Sequence, residues 1–285
     1  MAEASSHGGL PPAEHVAVTL NDGRSLPQLG LGVFQLPPGA PTLAAVEAAL
    51  AVGYRHVDTA AVYRNEGDVG AALRASGLPR DTVWVTTKLA NADQGAATAR
   101  RAFEASLERL GLDAVDLYLL HWPHERRLES WRVLEQLHAE GLARSIGVSN
   151  FLVLHLDALL ASASVPPAVN QIELSPFLYR TREDTVARCE EAGIVVEAYS
   201  PLTKGGRLDD STVTRIATEL GRTPAQVLIR WSLQKGFVVI PRSSSPARIA
   251  ENADVFDFDL DERQLAALDA LDEGLTTGWD PAVAS

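Results

Sequence analysis

The sequence predicts a (β/α)8 TIM barrel with an N-terminal β-hairpin, an extra C-terminal helix and a tail. Three observations carry that expectation. Short apolar segments alternate with helical ones eight times over about 250 residues, a span that such barrels fill as one domain. No Pro/Gly-rich linker interrupts the alternation. Polar residues stand at one strand end after another, where the loops of a barrel gather their chemistry.

Residues 1–14, rich in Ala, Ser, Gly and Pro, read as a disordered tail, and residues 15–285 as one barrel domain. Segments 16–20 and 26–29, joined by Asn21-Asp22-Gly23, predict a hairpin. It has no place in the eightfold alternation and is expected to plug the bottom of the barrel. Residues 30–34 form the first strand, and Leu43, Val46 and Leu50 mark one face of its helix. The second strand, 55–58, leads into a helix through Val69, Ala72 and Leu73. The third, 83–87, ends at Lys88; its helix carries Phe103, Leu107 and Leu110 and stops at Gly111, suited to the C′ position. Strand four, Val115–Leu120, ends at His121, and a helix with Trp131, Leu134 and Leu137 closes at Gly141. Strand five, 144–148, ends at Ser149-Asn150; strand six is 169–172; strand seven, 194–198, ends at Tyr199. Helical segments at 213–220 and 223–235 precede the eighth strand, 237–240, which runs into Pro241-Arg242. Residues 261–271 predict the extra helix and 272–285 a coil.

Composition bounds the function. Hydrophobic residues make up 46% and charged ones 22%, a globular balance with ample apolar material for a core. With 25 Lys and Arg against 37 Asp and Glu, the net charge of −12 opposes broad binding to nucleic acid or anionic membranes. It leaves room for a local basic pocket. The one cysteine, Cys189, excludes an intrachain disulfide and reads as apolar filler in a helix. Residues 1–14 lack the features of a secretory signal, and no apolar run reaches the roughly 18 residues of a membrane span. The expectation is a soluble cytoplasmic protein.

The stretch from Gly53 to Glu66 places Asp58 at a strand end and Tyr63 on the following loop. Taken alone, this pair fits either proton chemistry at a barrel mouth or a helix-capping Asp beside a half-buried Tyr. The other strand ends add Lys88, His121, Ser149-Asn150, Gln171, Tyr199 and Arg242. A purely structural barrel needs no such set. A phenol titrates near 10, and a neighbouring ammonium stabilises the phenolate, so Lys88 is expected to lower the pKa of Tyr63. Asp58 is the counter-ion for Lys88, and His121 is placed to hydrogen-bond a substrate carbonyl. The set suits protonation of an oxygen as charge develops on it. Arg242-Ser-Ser-Ser-Pro-Ala-Arg248, at the eighth strand end and a helix start, fits a bound phosphate; alternatively it is an N-capping Ser between solvated arginines. No GxGxxG and no Walker A sequence is present. No metal is expected, since Pro123 separates His121 from His124 and no Cys or acid cluster completes a site. His56 reads as a packing residue.

Several stretches resemble the aldo-keto reductase superfamily: Gly53 to Glu66, Val85-Thr-Thr-Lys88, Leu117-Tyr-Leu-Leu-His-Trp-Pro123 and Arg144-Ser-Ile-Gly-Val-Ser-Asn-Phe151. Asn170-Gln-Ile-Glu-Leu174, Glu197-Ala-Tyr-Ser-Pro-Leu202, Ile240-Pro-Arg-Ser243 and Arg248-Ile-Ala-Glu-Asn252 continue the likeness. The Thr-Gly-Trp-Asp-Pro run at 277–281 is similar to the bacterial branch that includes 2,5-diketo-gluconate reductases. The resemblance implies a barrel that binds extended NADPH without a Rossmann fold. It implies Tyr63 as general acid, Lys88 and Asp58 as its tuning pair, and His121 as the orienting residue. It assigns Ser149, Asn150 and Gln171 to the nicotinamide carboxamide and Tyr199 to the ring. Ser200 and Leu202 would line the pyrophosphate, Arg242, Ser243 and Arg248 the 2′-phosphate, and Glu251 and Asn252 the adenine. Two positions depart from the family pattern: Arg242 stands where Lys is most common, and Ser175 where His is common. Phe34, Trp122 and Trp279 are the expected aromatic walls for a small carbonyl substrate.

The expectation is an NADPH-dependent reductase of aldehydes and ketones, possible substrates including sugar-derived and α-dicarbonyl compounds, acting as a monomer or weak dimer. Two rival readings use the same fold. One is a nucleotide-sensing regulatory subunit, against which the intact four-residue set argues. The other is a Schiff-base aldolase with Lys88 as nucleophile, which leaves Tyr63, Asn150, Gln171 and the arginine pair without a joint purpose.

Overall fold

The computed structural model describes residues 16–279 and residue 281. The tail expected at 1–14 lies outside the described residues, as do Asp280 and residues 282–285 of the expected C-terminal coil.

Strands β1 (Ala17–Thr19) and β2 (Ser25–Pro27) pair antiparallel as a hairpin, with Val18 opposite Leu26. Eight parallel strands follow: β3 (Leu31–Gly32), β4 (His56–Asp58), β5 (Trp84–Leu89), β6 (Val115–Leu120), β7 (Ala143–Ser149), β8 (Val169–Glu173), β9 (Val195–Tyr199) and β10 (Val238–Ile240). Each pairs with the next in chain order. The seam between last and first is drawn together by Val239 N to Gln28 O at 2.8 Å, Gly30 N to Val239 O at 2.9 Å and Gly32 N to Pro241 O at 3.1 Å.

The expected helices occur between the strands: α1 (Ala40–Ala51), α2 (Glu66–Ser76), α3 (Ala99–Leu110), α4 (Arg127–Ala139), α5 (Val153–Leu160) and α6 (Glu183–Glu191). After β9 come α7 (Ser211–Leu220) and α8 (Pro224–Gln234), then α9 (Pro246–Ala253) after β10 and the extra α10 (Glu262–Asp269), which packs on α7. Their ends follow local chemistry. Gly111 closes α3 at φ 66°, and a Thr223–Gln226 capping box opens α8 with Pro224 at its first position. Gly70 lets α2 lie against α3: a Cβ there would come within 1.9 Å of the Leu110 carbonyl oxygen. No helix among the described residues is long and apolar enough to cross a membrane.

The inside of the barrel changes character with height. At the bottom Leu20 and Leu26 of the hairpin pack with Trp84, Leu117, Leu119, Val169 and Val238, so the hairpin is the plug that the alternation left over. Strand side chains alternate, so a residue two positions further on returns to the same face. Above Trp84 and Val169 that step brings Thr86 and Gln171 into the interior, beside His56, Asp58 and Glu197. A second step on β5 reaches Lys88. Apolar floor, polar middle and open mouth thus come from one periodicity applied to neighbouring strands.

Candidate active site

Lys88 lies inside β5 rather than beyond its end, and its side chain is fully buried. An ammonium in that position needs full pairing. Its Nζ donates to both carboxylate oxygens of Asp58, at 2.6 and 2.7 Å, and to the Thr59 carbonyl at 3.0 Å. The fourth neighbour is the Tyr63 hydroxyl at 3.5 Å. Tyr63 sits in the short 3-10 turn Ala61–Tyr63, which is held by Thr59 and Asn65: Thr59 Oγ1 donates to Asn65 Oδ1, and Asn65 Nδ2 donates to the carbonyls of Val33 and Leu36. The Tyr63 ring meets Phe34 at 4.9 Å and the edge of His121 at 5.6 Å. The four expected catalytic positions therefore share one place.

The electrostatics of Tyr63 differ from the expectation. Burial, with the carboxylates of Asp58 and Glu197 behind it, holds the phenol well above its ordinary value rather than below it. The ammonium that was to lower it is bound closely to Asp58, so the phenol oxygen sees a paired charge. Tyr63 is consequently a fully protonated donor at neutral pH. His121 is pushed down to about 3 by burial and by Lys88, so its imidazole is neutral and offers one N–H and one lone pair.

Tyr63 and His121 open onto a cavity of about 660 Å³. Phe34, Trp122 and Trp279 line it, as do Ser149, Asn150, Gln171 and Tyr199. The last four are tied together. Tyr199 donates its hydroxyl to Asn150 Oδ1 at 2.8 Å, Asn150 Nδ2 donates to the His121 carbonyl at 3.0 Å, and Ser149 Oγ to the Gln171 carbonyl at 2.9 Å. Gln171 Nε2 bridges downward to Asp58 at 2.8 Å and Glu197 at 3.0 Å.

A second cavity of about 470 Å³ adjoins the first, the two sharing Phe34, Gln35, Ser200 and Lys204. It contains the other expected cofactor residues: Ser200, Leu202, Arg242, Ser243, Arg248, Glu251 and Asn252. Arg242 and Arg248 are exposed, and Arg242 donates to the Gln35 carbonyl at 3.3 Å. Ser245 caps α9, so the capping reading of the serine run and the phosphate reading are compatible. Lys204 adds a third cation, in a chain of net charge −12. Asp58 and Glu251 stand in the same lining.

Two features escaped the sequence reading. Glu197, fully buried with Oε2 unpartnered, is raised to about 8 by burial and by Asp58. His56 packs beneath it, Nε2 against Thr86 Oγ1 at 3.1 Å, and is pushed down to about 3 by burial and Lys88. Its packing role agrees with the expectation. The second feature is conformational: among the described residues, the non-glycine positions with positive φ are Gln35, Arg64, Asn150, Ser200, Thr203 and Lys204. Four of them line the two cavities, and Thr203 and Arg64 adjoin residues that do. Strain of order 1–3 kcal/mol at each such residue persists only where the surroundings fix it, as they do at functional sites. Glu197 lay within a quoted motif, yet only the pairing of β8 with β9 shows what it faces.

The chain has counterparts among known proteins. Residues 28–273 match the Aldo/keto reductase family. An aldo-keto reductase of Mycobacterium sp. (strain MCS) is 52% identical over 268 residues, covering 93% of this chain and 94% of the relative. A glyoxal reductase of Bacillus subtilis (strain 168) is 44% identical over 273 residues, covering 95% and 98%. The structure of a Bombyx mori aldo-keto reductase in complex with NADP superposes with a TM-score of 0.86 at 36% identity, covering 92% of this chain and 94% of that one. On these matches and the barrel that carries the site, the chain belongs to the Aldo/keto reductase family.

Proposed function

We propose that this protein reduces aldehydes and ketones to alcohols with NADPH, Tyr63 donating the proton. One observation carries the reading: a buried Lys88–Asp58 pair stands under the hydroxyl of Tyr63 at the floor of an open cavity. NADPH, when bound, supplies the hydride that the carbonyl carbon accepts. The chain's residues do the rest. The neutral His121 orients the carbonyl oxygen by an N–H hydrogen bond toward the phenol. Tyr63 then transfers its O–H proton to that oxygen as negative charge collects there. The phenolate left behind is stabilised by the Lys88 ammonium, whose countercharge Asp58 is already in place. Lys88 thus acts when the proton leaves, not by making the resting phenol acidic.

Arg242, Ser243 and Arg248 are proposed to hold the 2′-phosphate, and Ser200 and Leu202 the pyrophosphate. Glu251 and Asn252 are proposed to meet the adenine, Ser149, Asn150 and Gln171 the carboxamide, and Tyr199 the nicotinamide ring. The three cations of the cleft support this assignment, and so does the NADP bound by the Bombyx mori relative. Phe34, Trp122 and Trp279 are proposed substrate walls, and the Bacillus relative suggests small α-dicarbonyls among the substrates. Lys88, held by three oxygens, has no free lone pair for imine formation, which disfavours a Schiff-base aldolase. The test is NADPH oxidation with a panel of aldehydes, ketoses and α-dicarbonyls. Tight NADPH binding without turnover of any of them would favour a nucleotide-sensing role and refute the proposal.

A further inference from the structure

Glu173 is the last residue of β8, two positions beyond Gln171 and on the same face of the strand. None of the roles above uses it. It is 6% exposed, yet its carboxylate accepts from Thr277 N at 2.6 Å, from Thr277 Oγ1 and from Gly278 N at 3.2 Å. All three donors belong to one short piece of the C-terminal segment. From the other side Lys204 Nζ donates to the Thr277 carbonyl at 2.5 Å. Trp279 comes next. It is 75% exposed, and its ring leans against Trp122, centroids 6.0 Å apart, so that the two indoles line the cavity side by side. The backbone that leads into that indole is held at 277 and 278.

We propose that Glu173 is the residue that sets substrate selectivity, by clamping Thr277 and Gly278 so that Trp279 extends the aromatic wall of the carbonyl pocket beside Trp122. The inference rests on the proposed carbonyl reduction. Gln171 and Glu173 are two residue steps apart along one strand, about 6.6 Å, so a single rigid strand sets the wall's height above the floor of the site. A carboxylate suits the task because it is acceptor-only and faces three donors. A glutamine would have to turn its NH2 toward one of them, and its remaining oxygen is a weaker acceptor.

Glyoxal and phenylglyoxal test this, since they share the reacting dicarbonyl and differ in a ring able to reach the wall. In Glu173→Gln the ratio of kcat/KM for phenylglyoxal to that for glyoxal is expected to fall about tenfold or more, through a higher KM for phenylglyoxal. Trp279→Ala should lower the same ratio, and adding it to Glu173→Gln should change the ratio less than about threefold further, since both act through one wall. Hydrogen exchange at the Thr277 and Gly278 amides, read without substrate, should quicken in Glu173→Gln. An equal loss on both dicarbonyls, an unchanged ratio or independent multiplying effects would overturn the proposal. A lowered ratio with unchanged amide exchange would overturn the clamp. A wild type that turns over neither dicarbonyl while both amides stay protected would refute the reaction, and the selectivity role with it, and leave the clamp as a structural contact.

Discussion

Lys88→Met removes the ammonium from both oxygens of Asp58 and leaves a carboxylate that is 2% exposed, with Gln171 as its remaining hydrogen-bond donor. Breaking a buried ion pair from one side costs on the order of 3–5 kcal/mol, a large share of the roughly 5–15 kcal/mol that stabilises a typical domain. For a chain of this size that corresponds to a fall in Tm of about 10 °C. The loss should depend on pH. Burial already pushes the Asp58 carboxyl up, and Lys88 opposes that push. Without Lys88 its folded value rises further above the ordinary value near 3.9. A carboxyl raised in the folded state is best tolerated below its unfolded value, and its stabilising protonation is lost as pH rises through the folded value. The Tm difference from wild type should therefore be smallest in acid and widen toward alkaline pH. Thermal unfolding followed by circular dichroism across that range measures it, alongside NADPH turnover. Asp58→Asn combined with Lys88→Met should recover much of the stability and none of the activity. A single variant with wild-type Tm at every pH would refute the reasoning, as would a double variant less stable than the single.

Tyr63→Phe should lose nearly all turnover while NADPH affinity stays within a few-fold, because only the hydroxyl beside Lys88 is removed; near-normal turnover would sink the assignment of the acid. The Arg242→Ala, Arg248→Ala double variant should weaken NADPH binding about a hundredfold, from charge-assisted bonds of roughly 1.5 kcal/mol each at the low end suited to exposed groups, and leave NADH binding nearly unchanged. Equal losses for both cofactors, read by fluorescence titration, would move these arginines away from the 2′-phosphate. Glu197→Gln should flatten the pH dependence of stability. The carboxyl is raised from 4.5 to about 8, so its contribution is full below 4.5 and lost as pH rises through about 8. Denaturation midpoints at acid and alkaline pH that shift in the variant as in the wild type would contradict that.

Periodicity and punctuation were enough for the barrel. Past Asp116, residues 117–120 are apolar on both faces because helices cover one side and the barrel interior the other, and such a run reads as a buried parallel strand without any neighbour known. Gly111 and Gly141 could be placed because a helix end in the left-handed region is a local event. The polar strand ends were legible for the same reason: each belongs to one strand, and a barrel delivers all its strand ends to one mouth. Tertiary structure alone decided what these residues feel. From the sequence, Lys88 pairs with Asp58 and its ammonium is expected to make Tyr63 more acidic; burial, with that charge tied to Asp58, instead leaves Tyr63 with a raised proton affinity. The burial of Glu197 against Gln171 and the grip of Glu173 on Thr277 join residues that lie far apart in the chain. A pKa and a clamp depend on distances across strands and on the water excluded between them, and neither quantity is a property of any segment read alone.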